Sequence, residues 1–189
     1  MRSSPPGDTA LYVLLPQKPA EIVSRWRRLY DPASGNIEAH VTIAFPPFVP
    51  LKRWSAVRPA VEAILGDYEP FQVIIRETGR FSGSQHILWL RPEDDETLVR
   101  VRAALEKALP RYMPKLPYNF VPHVTIGLLD SEDALVQAQT AVRAEIEPLR
   151  FLVDRLTYGT CGDDGTWHNT DSLLLGRAAR KHGAERVGP

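Results

Sequence analysis

Apolar and polar positions change period several times along this chain, and each change marks an element. Ala10–Leu15 is an apolar run ending at Pro16 and predicts a strand. From Ala20 to Tyr30 the apolar spacing turns helical, with Ile22, Trp26 and Leu29 on one stripe. Ala39–Phe45 predicts a strand stopped by Pro46-Pro47, and a helix follows within 51–65, with Pro59 in its first turn and Gly66 as its stop. Phe71–Glu77 and His86–Arg91 predict a hairpin across a Gly/Ser connection. Asp94–Leu109 is the clearest helix. Leu98, Val101, Leu105 and Leu109 line one face, and Asp94, Asp95 and Glu96 suit its N-terminal dipole. Val121–Leu128 predicts a strand, and Ser131 caps a helix burying Leu135, Ala138 and Val142. Phe151–Thr160 and Thr166–Leu175 close the chain as two strands around Gly162-Asp163-Asp164-Gly165.

No composition break marks a linker, so residues 10–176 read as a single domain between a loose N-terminus (1–9) and a flexible basic C-terminal tail (177–189). The tail sets Arg177, Arg180, Lys181 and Arg186 against Glu185, as a solvated end or a weak contact to a phosphate backbone. Strand–helix–strand near the start has an echo after the middle, sharpest at one tetrapeptide.

His40-Val41-Thr42-Ile43 recurs as His123-Val124-Thr125-Ile126, 83 residues on, and both copies fall in predicted strands. Side chains alternate faces along a strand. His40, Thr42 and Ala44 therefore share one face, as do His123, Thr125 and Gly127. The branched residues face the other way, and the small third residue leaves room for a ligand. Two imidazoles near neutral pH offer a proton acceptor and a proton donor, which phosphodiester cleavage needs. Each Thr hydroxyl lies about 6–7 Å along the strand, placed to hold non-bridging phosphate oxygens. That chemistry needs neither a metal nor a covalent intermediate.

Composition narrows the choice. In 189 residues, 23 basic side chains balance 23 acidic ones, so net charge is zero. This argues against a broad, sequence-independent nucleic-acid surface but leaves room for a local basic groove. A hydrophobic fraction of 43% suffices for a core without staples. The single cysteine, Cys161, permits no intramolecular disulfide and fits a reducing compartment. With no secretory signal and no apolar run of membrane-spanning length, the expected location is cytoplasmic, away from membranes.

Two His-x-Thr-hydrophobic motifs about 80 residues apart resemble the signature of the 2H phosphoesterase superfamily, whose bacterial branch comprises 2′-5′ RNA ligases and RNA 2′,3′-cyclic phosphodiesterases. The resemblance spans roughly 10–176. Phe81 through Leu90 with Pro92 and a helix looks like the family's central hairpin and helix. Phe120-Val121-Pro122 looks like its lead-in to the second motif, and Leu156-Thr157-Tyr158 with Trp167 through Leu175 like its last hairpin. The resemblance implies an α+β fold of two pseudo-twofold-related lobes, each an antiparallel sheet with helices outside, around a central groove. It implies that His40 and His123 are the catalytic acid/base pair and that Thr42 and Thr125 bind phosphate. The implied activity is opening 2′,3′-cyclic phosphates, or cleaving and joining 2′-5′ linkages, on a nucleotide or RNA end. Relatives that handle RNA often carry a basic residue after the second motif. Gly127-Leu128-Leu129 stands there instead, which favours a small substrate.

Tyr12, Phe48, Phe81 and Tyr118 are candidates to stack a base, against a plainer role in core or rim. His86 and His168 lack repeated partners and read as structural; His182 sits in the tail. No close-spaced ligand pair suggests zinc, so no metal and no cofactor are expected, and the chain is expected to be a monomer. A rival reading keeps the groove as a non-catalytic module for nucleotides or RNA ends, although a pure binder has no need of two proton-transfer groups.

Overall fold

In the computed structural model, which describes residues 4–93, 96–113 and 116–176, the strand–helix echo becomes two sheets. The elements are β1 (Thr9–Leu14), α1 (Gln17–Tyr30), β2 (His40–Ala44), α2 (Leu51–Leu65), β3 (Phe71–Phe81), β4 (His86–Glu93), α3 (Glu96–Ala108), β5 (Val124–Leu129), α4 (Glu132–Glu145), β6 (Leu149–Val153), β7 (Arg155–Cys161) and β8 (Trp167–Leu174). The first sheet has the order β2-β1-β7-β8 and the second β5-β4-β3-β6, antiparallel throughout. The fold is therefore α+β, and each repeated motif lies at a sheet edge.

Local signals place several elements as expected. Ser131 accepts a hydrogen bond from the Ala134 N–H and caps α4, whose buried stripe includes Leu135, Ala138 and Val142. In α3, Leu98, Val101 and Leu105 are buried, while Leu109 lies just past the helix. Asp94 and Asp95, and the tail at 177–189, lie outside the described residues.

Other expectations are corrected. The α1 stripe is not Ile22, Trp26 and Leu29: Ile22 and Leu29 are exposed, and Val23, Trp26 and Arg27 face inward. A charged residue hides this face from a hydrophobicity pattern. Arg27 tolerates burial because Asp31 and the Ile37 carbonyl accept from its guanidinium. Pro59 is interior to α2, which begins at Leu51; buried Trp54, Val61 and Leu65 anchor the helix on both sides of the hydrogen bond that proline cannot make. Phe151–Thr160 is two strands. The chain leaves the second sheet at Val153 and enters the first at Arg155, and alternation alone cannot register a change of sheet. Thr9 belongs to β1, and Gly7 N–H donates to the Cys161 carbonyl, so the end of the segment read as loose is tied to β7.

The helices bind the sheets to each other. α1 connects strands of the first sheet yet packs on β5 of the second, and α3 connects strands of the second yet packs on β2. One continuous apolar core runs beneath both motifs.

Candidate active site

Each motif strand contains a β-bulge at the same residue. Tyr12 pairs with Thr42 and Leu11 with Ala44, so Ile43 is the extra residue. Trp89 pairs with Thr125 and Leu88 with Gly127, so Ile126 is extra. A bulge redirects the side chains that follow it. The small third residue consequently does not open the ligand face. Ala44 is in the core, and a Cβ on Gly127 would stand 2.9 Å from Tyr30 Cβ of α1. Smallness there serves helix packing.

The histidines are held alike. His40 Nδ1 is 2.7 Å from the Glu38 carbonyl, and His123 Nδ1 is 2.7 Å from the Val121 carbonyl. A carbonyl only accepts, so each Nδ1 carries hydrogen, and in the neutral ring each Nε2 is the unprotonated, accepting nitrogen. His40 Nε2 lies 3.1 Å from Thr42 Oγ1. β2 and β5 approach each other, and the imidazoles are within electrostatic reach. His123 begins one residue before β5 proper, at the end of the extended lead-in.

Both rings resist protonation. Burial lowers the His40 pKa to about 4, and the nearby Arg27 and His123 charges push it the same way, against its bond to Glu38 and the Asp31 charge. Burial also lowers His123, against its bond to Val121.

Residues 15–162, which contain both motifs, match the model of the 2′-5′ RNA ligase superfamily. The chain belongs to that superfamily. Among its relatives are a Bacillus licheniformis protein provisionally named a phosphoesterase, 24% identical over 87% of this chain and 96% of its own length, and a similarly named Halalkalibacterium halodurans protein, 26% identical over 87% and 95%. TT0787 of Thermus thermophilus shares the fold at TM-score 0.65 and 16% identity, covering 89% of this chain and 97% of its own. E. coli LigT, solved with 3′-AMP, does so at TM-score 0.63 and 18% identity, covering 90% and 98%.

In this superfamily member each imidazole also has an aromatic backing that the sequence did not reveal. The Tyr12 ring is 5.2 Å from His40, and the Trp89 ring is 5.7 Å from His123. Each backing ring lies over a glycine of the next strand. A Cβ at Gly159 would be 2.1 Å from the Tyr12 hydroxyl, and one at Gly79 would be 2.2 Å from the Trp89 ring. The signal was the pair of glycines inside β-branched strands.

The four stacking candidates separate. Phe81 is half-buried and meets His123 edge-on at 5.2 Å. Tyr12 is fully buried; its hydroxyl donates to Asn169 Oδ1 at 2.7 Å, and Asn169 Nδ2 donates to Glu38, so Tyr12 supports His40 instead of offering a face to a base. Burial and the Glu38 carboxylate push its hydroxyl pKa up. Phe48 is buried against Trp54 and has no free face, which removes it from the candidates. Tyr118 is exposed, within electrostatic reach of Arg102.

The remaining groups lie apart. His86 Nδ1 is 3.4 Å from Glu132, an ion-pair distance without hydrogen-bond geometry, at the Leu129 end of β5. The His168 ring packs near Gly162. Burial and the Asp8 and Asp164 charges push the Cys161 thiol pKa up, away from a nucleophilic thiolate. Among the described residues, no three His, Cys, Asp or Glu side chains are grouped to hold a metal, and no helix is long and apolar enough to cross a membrane.

Proposed function

We propose that this protein opens 2′,3′-cyclic phosphates of a nucleotide or RNA end, with His40 and His123 as its acid/base pair. The observation that carries the reading is the matched tether of the two rings. Each Nδ1–H is bound to the carbonyl two residues back, which leaves each Nε2 for proton transfer. One neutral Nε2 takes a proton from water as its oxygen bonds to phosphorus. The bond from phosphorus to the 3′-oxygen breaks, and the other ring, as imidazolium, gives that oxygen its proton. Burial keeps both resting rings in the neutral form that a base needs. An anionic phosphate in the groove raises the pKa of a neighbouring imidazole and so charges the acid. Thr42 and Thr125 hold the non-bridging oxygens. The related LigT has been solved with 3′-AMP, ATP and NADP+, which supports a nucleotide ligand here.

The test is a product assay on 2′,3′-cyclic mononucleotides and short cyclic-ended RNA, for wild type, His40→Ala and His123→Ala. Expected are a ring-opened phosphomonoester from wild type, activity that survives chelator, a bell-shaped pH dependence and loss in both variants. Ligand-induced thermal stabilisation with no product, even at high protein concentration, supports the binding module instead.

A further inference from the structure

Arg102 of α3 is a buried cation with contacts in both lobes. Its Nη1 donates to the backbone carbonyl of Ile43, the bulge residue of the first motif. Its Nη2 lies 2.8 Å from Glu106 Oε1. The guanidinium carbon sits 5.2 Å from the Phe45 ring, three residues past Thr42, and 4.7 Å from the Phe120 ring, three residues before His123. Those rings meet edge-on at 6.3 Å. Its Nε is buried without a partner.

Packing alone accounts poorly for this residue. An apolar side chain of similar volume fills a core with less desolvation, so a buried ion here is better explained by what it orients. Arg27 gives the contrast: it is also buried, but its partners Asp31 and Ile37 stay within one stretch of chain. Arg102 instead joins a helix between two strands of the second sheet to the bulge of the first. We propose that Arg102 is a positioning residue that sets the approach of His40 to His123, by clasping the backbone behind the first motif and the lead-in to the second. The proposal rests on the acid/base reading of the two histidines.

The test compares Arg102→Lys, Arg102→Met and Arg102→Ala with wild type. On 2′,3′-cyclic AMP, Met and Ala variants that unfold cooperatively well above the assay temperature should lose about 10- to 100-fold in kcat, with KM nearly unchanged. Millimolar guanidinium should restore part of the lost kcat to Arg102→Ala and add nothing to wild type. Lowered thermal stability with unchanged kcat overturns the proposal.

A second readout is independent of turnover. By NMR of the imidazoles, His123→Asn should move the His40 titration midpoint when Arg102 is present and move it less in Arg102→Met. Equal movement in both backgrounds overturns the positioning role. If wild type turns over no cyclic phosphate, the acid/base reading fails while this titration still decides the clasp. Should the Met and Ala variants not fold, Arg102→Lys, which keeps the charge but not the fork, carries both readouts.

Discussion

In the first sheet His40 leans on Tyr12, which lies over Gly159; in the second, His123 leans on Trp89, which lies over Gly79. The edge strand, the bulge at isoleucine and the Nδ1 tether are shared as well. The wiring around them is not. His40 has a hydroxyl at Nε2, and its backing tyrosine is bonded through Asn169 to Glu38. His123 has a second aromatic, Phe81, and its backing indole N–H is buried without a partner. The backbone therefore presents the two imidazoles alike and burial lowers the pKa of both, but only His40 also feels the Arg27 and Asp31 charges. On the proposed acid/base reading, such unequal surroundings would let one repeated motif supply both an acid and a base.

The comparison can be broken at several points. Replacing either histidine by alanine should reduce cyclic-phosphate turnover by about 10²- to 10⁴-fold, and near-equal losses show that both lobes are needed. A variant retaining wild-type kcat removes its lobe from the chemistry. Thr42→Val and Thr125→Val should each lose about 10²-fold in kcat if each hydroxyl holds a phosphate oxygen. Only Thr42→Val should also alter the pH dependence, because only Thr42 touches an Nε2. Identical pH profiles in the two variants would remove that difference between the lobes.

The glycine seats test the shared plan by stability. Gly79→Ala and Gly159→Ala each force a ring out of its place and should cost about 1–3 kcal/mol in urea unfolding. A wild-type midpoint for either means its aromatic is not seated as described. The last test is in pH. Unfolded His40 protonates near 6.5 and folded His40 near 4, so the unfolded state binds more protons between them. Stability should fall as pH drops through that window, and less steeply in His40→Gln, as read from urea midpoints. Parallel curves for wild type and variant count against burial as the cause.

Legibility followed distance along the chain. The motif pair, the Ser131 cap and the α4 stripe are local patterns, and the sequence displays them directly. The change of sheet at Asp154, the inward-facing Arg27 and the burial of Phe48 depend on what packs opposite, which no window of residues contains. The bulges were hidden for another reason: alternation assumes unbroken pairing, and Ile43 and Ile126 interrupt it. Trp89 and Arg102 stayed unseen because one is backed by a glycine on another strand and the other reaches its carbonyl across the lobes.

The central claim, that the two imidazoles act on one phosphate as a unit, is tested most directly by 2′,3′-cyclic AMP turnover in His40→Ala, His123→Ala and the double variant. Groups acting as a unit are non-additive. The account predicts a double variant about as slow as either single one. Losses that multiply in the double variant would contradict it.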